Sequence, residues 1–290
     1  MLKADRLYFQ AFVARYGRLI YPAGRYQNLW EEIVLSWFAR KKKGDERSQS
    51  VFLGETSIPG DIVVYAIGDI HGRADLLENC LVAIQRDPVD SGIAKRIVYL
   101  GDYIDRGPES RKVIDMIREM DNAGVRQTKI IGNHEEFLLR FLNNPEEGTS
   151  WLSYGGAETL LSYGVGMPAG VLSAGKLAKV AEDLRSRMEG SGHLVFLQQL
   201  EEAVTIGDYC FVHAGINPDR SLEKQIPEDL RWIREPFLTH TGGFEKVIVH
   251  GHTITDEPEF RPNRIGIDTG AYYSGRLTCL RLQGRQYSIM

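Results

Sequence analysis

Six short apolar runs in this chain each end in a turn that carries an aspartate, an asparagine or a histidine. The runs have the length and composition of buried strands and lie at residues 62–67, 96–100, 129–131, 210–212, 247–249 and 265–267. Amphipathic segments at 73–85 and 110–120 separate the first three runs, a pattern typical of βαβ units and a largely parallel sheet. Because the carboxyl ends of such strands meet at one edge, we expect the turns to gather there.

The turns are rich in residue types that bind metals or phosphate. They read GDIHG at 68–72, GDYIDRG at 101–107, GNHE at 132–135, HAG at 213–215, HGHT at 250–253 and DTG at 268–270. A single aspartate after a strand is commonly a helix cap, and a single buried histidine usually satisfies a backbone group. Six such turns in order are too many for that explanation, so the sequence predicts one polar site built from them.

Oxygen and imidazole ligands without thiolate favour Mn²⁺, Fe²⁺ or Zn²⁺. The candidate ligands are too many for one ion, and a carboxylate can bridge two. A pair of ions about 3.5–4 Å apart suits phosphoryl displacement, because it generates a hydroxide nucleophile and stabilises the charge at phosphorus. Arg106 adds a guanidinium that can clamp phosphate oxygens.

In order and spacing, these blocks resemble the signatures of the PPP family of metallophosphatases across about residues 61–280. The family includes serine/threonine protein phosphatases and symmetrical dinucleoside tetraphosphatases. The resemblance implies an α/β fold of the metallophosphoesterase type, a β-sandwich flanked by helices. It therefore changes the expected architecture from one largely parallel sheet to two packed sheets.

The resemblance also implies a role for each matching residue. Two divalent ions, with Mn²⁺ preferred over Fe or Zn, would be held by Asp69, His71, Asp102, Asn133, His213 and His252, with Asp102 bridging. A hydroxide between the ions would attack phosphorus. His134, held by Asp105, would protonate the leaving oxygen.

Arg106 and a second arginine would bind the phosphate. Arg234 is the candidate for the second one, and Arg231 competes with it. Three further residues are expected to line the site or support the ligands from behind, or else simply to pack: His250, Asp268 and Tyr273.

The resemblance leaves two classes of substrate open, phosphoproteins and dinucleoside tetraphosphates. Asp105 is typical of protein phosphatases, whereas many bacterial dinucleoside tetraphosphatases carry alanine there, so the main prediction is a bacterial-type serine/threonine protein phosphatase. The Gly107-Pro108-Glu109-Ser110 continuation is shared with the nucleotide enzymes and keeps diadenosine tetraphosphate, cleaved to two ADP, as the alternative. A phosphate-binding scaffold without activity is a third hypothesis, which the complete ligand set disfavours.

The chain is expected to divide into a basic, partly helical extension with its linker at 1–60 and a metallophosphatase domain at 61–290. The extension is predicted to pack on the body or to meet an anionic membrane or partner. Within the domain, residues 136–203 are predicted to form a helical insertion over the metal site. Its Trp151, Tyr154 and Tyr163 could stack on a base, contact a peptide or form a small core.

Charge and composition argue against nucleic-acid-binding, membrane-spanning and secreted classes of protein. The net charge is −4, divided into +6 over residues 1–43 and −10 over the rest, so a nucleic-acid partner is not expected. No apolar stretch is long enough for a transmembrane helix, and the first residues do not resemble a signal peptide. Cys80, Cys210 and Cys279 are isolated, which indicates a reducing, cytoplasmic environment.

Overall fold

The computed structural model describes residues 50–167, 170 and 172–290. The predictions made for residues 1–49 lie outside these ranges, so the basic extension remains a prediction.

Ten strands form two five-stranded sheets. They are β1 (Ile62–Ile67), β2 (Ala94–Tyr99), β3 (Arg126–Lys129), β4 (Ala203–Ile206), β5 (Tyr209–Val212), β6 (Val247–His250), β7 (Glu259–Phe260), β8 (Arg264–Gly266), β9 (Cys279–Gln283) and β10 (Gln286–Ile289). The first sheet has the order β10-β9-β1-β2-β3 and the second β4-β5-β6-β8-β7. In the first sheet β1, β2 and β3 run parallel, β9 pairs antiparallel with β1, and β10 pairs antiparallel with β9. In the second sheet β5, β6 and β8 run parallel, and β4 and β7 pair antiparallel at the two edges.

Strand β1 explains how its sequence specifies a central strand of a sandwich. Its residues alternate between two cores: Val63 and Tyr65 face the helices, whereas Val64 and Ala66 face the second sheet. Because both faces are buried, the strand reads as a continuous apolar run and not as an alternating pattern. The side chains between the sheets include Phe211, contributed by β5. The two-sheet sandwich expected from the resemblance is confirmed.

Nine helices are defined within the described residues. They are α1 (Ala74–Arg86), α2 (Ser110–Asn122), α3 (Asn133–Asn143), α4 (Gly148–Trp151), α5 (Ala157–Ser162), α6 (Ala174–Ser191), α7 (His193–Gln198), α8 (Pro227–Trp232) and α9 (Ala271–Ser274). A π-helical turn at Leu152–Gly156 joins α4 to α5. The apolar side chains of α1, α2, α3 and α6 share one core with the outer face of the first sheet. No helix in the described ranges is long and apolar enough to cross a membrane.

The third strand differs from its predicted position at 129–131. It runs over Arg126–Lys129, an edge strand whose only buried side chain is Thr128. Ile130, the apolar residue that suggested a strand, instead bridges to Glu201 and lies in the core between the sheets. An edge strand tolerates polar residues, so its sequence carries little apolar signal.

Several helices occupy the region expected as a helical insertion over 136–203, and they begin at Asn133 and end at Gln198. Strand β4 follows and was not predicted. The linker expected within residues 1–60 is packed in its described part. Ile58 is buried between the sheets, and Thr56 hydrogen-bonds with Tyr209.

Candidate metal centre

The turns that follow the strands of both sheets meet around the carboxylate of Asp102, which is buried. Its oxygens lie 3.5 Å from His71 Nε2, 3.6 Å from His213 Nε2 and 4.0 Å from His134 Nε2. Two groups of side chains close enough to share an ion contain Asp102, one with His71 and His134 and the other with His213 and His252. Asp102 is therefore placed to bridge two ions.

Asp69 enters the same region from the loop after β1. The His252 backbone N–H donates to its Oδ2 at 3.0 Å, whereas its buried Oδ1 has no hydrogen-bond partner among the described residues. Burial first, and then the charges of Asp268 and Asp102, raise the pKa of Asp69 well above its usual range. Burial also raises the pKa of Asp268 to about 6. A cation would relieve this concentration of buried negative charge.

Hydrogen bonds fix the histidine tautomers. His71 Nδ1 donates to Ile104 O at 2.8 Å, and His213 Nδ1 donates to Leu100 O at 2.8 Å. Burial lowers the pKa of both imidazoles, to about 3 for His71, so each is neutral and keeps a lone pair on Nε2. A backbone carbonyl that holds one ring nitrogen while the other faces a carboxylate is the usual arrangement for metal-binding histidines.

Asn133 joins the second group. Its Oδ1 lies 2.9 Å from His213 Nε2 and 2.9 Å from His252 Nδ1. An amide oxygen and two imidazole nitrogens beside Asp102 form a donor set that fits Mn²⁺, Fe²⁺ or Zn²⁺. The side chains on the two sides of Asp102 could thus hold one ion each.

The backbone is strained at the site. The non-glycine residues with positive φ in the described ranges are His71, Asp102, Asp105, Arg106 and His252, with φ between 46° and 71°. Each such residue costs about 1–3 kcal/mol and persists only where its surroundings impose it. Gly132 is equally constrained, because a Cβ there would lie 2.1 Å from Asp102 Oδ1.

Glu135 supports this backbone and was given no role from the sequence. Its fully buried carboxylate accepts from the backbone N–H groups of Asp102 at 2.9 Å, Tyr103 at 2.8 Å and Gly132 at 2.9 Å. It therefore ties the loop after β2 to the start of α3. The only feature of the sequence that could have indicated this role is the position of Glu135 in the GNHE block.

His134 lies beside the candidate ligands, but its ring is held by a carboxylate and not by a backbone carbonyl. Its Nδ1 donates to Asp105 Oδ2 at 2.7 Å, and both side chains are buried. Burial alone would lower the pKa of His134, but the carboxylates of Asp102 and Asp105 raise it above its ordinary value. His134 Nε2 can therefore carry a proton toward the centre.

The arginines differ in their partners. Arg106 Nη1 donates to His71 Nε2 at 2.8 Å, and its guanidinium lies over the Tyr272 ring at 4.8 Å. Arg231 pairs with Glu202 and Glu136. Arg234 is exposed, and within the described part of the chain no hydrogen bond or ion pair engages its guanidinium. Burial lowers the pKa of His213 and His252, and the charge of Arg234 lowers both further.

The residues expected to line or support the site are placed differently from one another. Asp268 is buried and accepts from Gly270 N at 2.9 Å beside Asp69. His250 packs edge-on against Phe237, and burial lowers its pKa to about 4.

Of the two adjacent tyrosines, Tyr273 is 59% exposed. Its neighbour Tyr272, for which no role was predicted, contacts His71 edge-on with ring centroids 5.5 Å apart. In the insertion, Trp151 and Tyr163 are buried core residues, whereas Tyr154 is 56% exposed.

Curated relatives carry two kinds of activity in their names. The chain is 29% identical to an asymmetrical bis(5'-nucleosyl)-tetraphosphatase of Anoxybacillus flavithermus, covering 74% of this chain and 88% of that one. It is 24% identical to a symmetrical bis(5'-nucleosyl)-tetraphosphatase of Janthinobacterium (77% and 94%). It is 28% identical to serine/threonine-protein phosphatase 1 of Salmonella typhimurium (76% and 92%).

A solved structure provisionally assigned as a diadenosine tetraphosphatase shares the fold, with a TM-score of 0.51 at 21% identity over 81% of this chain and 97% of that one. The family model for calcineurin-like phosphoesterases matches residues 62–283, which span nine of the ten strands, all but β10, and every turn that contributes to the centre. This chain belongs to the calcineurin-like phosphoesterases, a family of metal-dependent phosphoester hydrolases.

Proposed function

We propose that this phosphoesterase hydrolyses phosphoserine and phosphothreonine in proteins, with His134 as the general acid. The observation that carries the proposal is the 2.7 Å hydrogen bond from His134 Nδ1 to the buried carboxylate of Asp105. A serine or threonine alkoxide is strongly basic and leaves only when it is protonated. A phosphoanhydride has a much less basic leaving group and needs this proton less.

The metals would be divided between the two sides of Asp102. Asp69 and His71 would hold the first ion, and Asn133, His213 and His252 the second, with Asp102 shared. Two divalent ions, with Mn²⁺ preferred over Fe or Zn, would activate water and act as Lewis acids on the phosphoryl group.

The chain's own residues would bind and protonate the substrate. Arg106 and Arg234 would clamp the phosphate oxygens, because Arg234 has no competing partner in the described structure whereas Arg231 is engaged by two glutamates. His134 Nε2 would deliver its proton to the departing oxygen, while Asp105 stabilises the imidazolium.

The test compares His134→Asn with the unchanged enzyme on a phosphothreonine peptide and on p-nitrophenyl phosphate. We expect a loss of at least a hundredfold on the peptide, the range for general acid catalysis, and a much smaller loss on the aryl ester. Equal losses on both substrates would remove His134 from the acid role.

A second candidate is hydrolysis of a dinucleoside tetraphosphate, favoured by a row of aromatic rings beside the centre. The exposed Tyr154 stacks on the half-buried Phe137 with ring centroids 5.7 Å apart, and Phe137 meets Trp232 edge-on at 4.8 Å. Trp232 in turn lies 6.3 Å from His252. A flat base could stack on this row while Arg234 meets a phosphate.

Assay of the Mn²⁺-loaded protein on the phosphothreonine peptide and on diadenosine tetraphosphate decides between the two. Efficient peptide dephosphorylation with little nucleotide cleavage supports the first proposal, and release of two ADP supports the second. In the second case Tyr154→Ala should weaken nucleotide binding by about fivefold or more. Leu161→Ala, which alters an exposed residue elsewhere in the insertion, is the matched control.

We also propose that the protein works in a reducing, cytoplasmic environment. Support comes from Cys80, Cys210 and Cys279, which are all free thiols.

A further inference from the structure

The helical insertion reaches into the centre and contacts the carboxylate of Asp105. The Trp151 indole Nε1 donates to Asp105 Oδ2 at 2.9 Å, and the Thr159 hydroxyl donates to Asp105 Oδ1 at 2.6 Å. Together with His134 Nδ1, three donors surround this carboxylate, and the four side chains are buried. With both oxygens held, the carboxylate cannot rotate away from the imidazole.

The same segment also holds the backbone beneath the carboxylate. Asp105 N donates to Thr159 Oγ1 at 2.9 Å, and Arg106 N donates to Gly155 O at 3.0 Å. Asp105 and Arg106 are consecutive residues with φ of 71° and 67°. Such a pair persists only under external constraint, and these two hydrogen bonds supply it from the insertion.

Two adjacent glycines let the insertion approach this closely. Gly155 has a φ of 103°, and a Cβ there would lie 2.7 Å from Arg106 N. A Cβ on Gly156 would lie 2.4 Å from the Trp151 ring. Trp151 stacks on Phe141 of α3 with ring centroids 4.9 Å apart, so the indole is fixed from both sides.

We propose that Trp151 and Thr159 are positioning residues for the general acid. They fix Asp105, which in turn orients His134 Nε2 toward the leaving oxygen. The insertion thereby completes the acid half of the site. This inference rests on the proposed acid role of His134.

The test measures how the rate depends on the leaving group, using p-nitrophenyl phosphate and phenyl phosphate, whose phenoxide is the stronger base. Trp151→Phe removes the indole N–H and retains an aromatic ring against Phe141. Thr159→Val removes the hydroxyl, and Thr159→Ser restores it. Tyr163→Phe is the matched control, because it deletes the buried hydrogen bond between Tyr163 and His193 in the same insertion.

We expect Trp151→Phe and Thr159→Val to slow phenyl phosphate hydrolysis by about tenfold, the value of one hydrogen bond to a charged group. The loss on p-nitrophenyl phosphate should be about twofold or less, because a weaker base needs less protonation. Thr159→Ser should recover most of the rate, and Tyr163→Phe should not change the ratio between the substrates. Melting temperature and bound metal, measured in parallel, identify any variant that is misfolded.

Equal losses on the two substrates, or no loss in a folded Trp151→Phe protein, would overturn the proposal. His134→Asn, assayed in the same series, separates this inference from the proposed function. If His134→Asn loses both substrates equally, the acid role itself fails. If His134→Asn slows phenyl phosphate hydrolysis more than p-nitrophenyl phosphate hydrolysis and Trp151→Phe does not, only the positioning role fails.

Discussion

The Nε2 atom of His213 lies 2.9 Å from the Oδ1 atom of Asn133, and both are hydrogen-bond acceptors. The proton of His213 is on Nδ1, where it is donated to Leu100 O, and burial keeps the imidazole neutral. Two lone pairs at this distance repel each other unless a cation lies against both. Asp102 Oδ1, 3.6 Å from the same nitrogen, adds a third electron-rich atom. The arrangement fits a set of metal ligands.

Divalent metal should therefore stabilise the fold. We expect Mn²⁺ to raise the melting temperature of chelator-treated protein, with about 2.7 kcal/mol of stabilisation at a hundredfold excess over Kd. His213→Ala should reduce this shift, because it removes a proposed ligand of the second ion. Thermal unfolding with and without Mn²⁺ measures both effects. A melting temperature that does not respond to metal would contradict the ligand assignment.

Gly132→Ala should damage the centre, because the new Cβ would lie 2.1 Å from Asp102 Oδ1 and must displace it. A displacement near 1 Å can cost about a hundredfold in rate, so we expect kcat/KM to fall by that order. Gly166→Ala is the control, since a Cβ at Gly166 meets nothing within 4 Å. Similar kinetics for the two variants would show that Asp102 need not be held where it is.

Arg234→Ala and Arg231→Ala should separate binding from stability. Loss of the exposed, unpaired Arg234 should lower kcat/KM by about tenfold or more and leave the melting temperature unchanged. Loss of Arg231, which is 17% exposed in its pairs with Glu136 and Glu202, should cost about 1 kcal/mol of folding stability. Kinetics and thermal unfolding of both variants test the assignment, and the reverse pattern would make Arg231 the phosphate residue.

Acid should destabilise the insertion through His193. Burial lowers the pKa of His193 below its ordinary value of 6.5, so the unfolded chain binds this proton at a higher pH than the folded chain does. Stability is then retained above pH 6.5 and falls as the pH drops below it. His193→Gln should reduce the difference in melting temperature between about pH 7.5 and about pH 5.5. An unchanged difference would assign the acid sensitivity to other groups.

Much of the fold and of the polar site follows from local sequence. Strand β1 is apolar on both faces because it lies between two cores, and its predicted bounds, 62–67, are those observed. The turn residues stand directly after such strands, so their convergence follows from strand order. The antiparallel pair of β9 and β10 is joined by a short turn at Gly284, a residue type that favours such turns.

The features that could not be predicted from the sequence depend mainly on contacts between residues that are distant in the chain. Trp151 and Asp105 are 46 positions apart, and no periodicity indicates that an indole N–H reaches a carboxylate. Whether Tyr272 or Tyr273 contacts His71 depends on the orientation of one short helical turn, α9. Strand β7 has only two residues, too few for a recognisable pattern.

The most direct test is to titrate chelator-treated protein with Mn²⁺ while measuring phosphate release from a phosphothreonine peptide. We expect no turnover without metal and full turnover only when the second equivalent has bound, because the two groups of candidate ligands that share Asp102 would hold one ion each and both ions would act on one phosphoryl group. Turnover that survives metal removal, or that is complete with a single equivalent, would contradict the dinuclear centre.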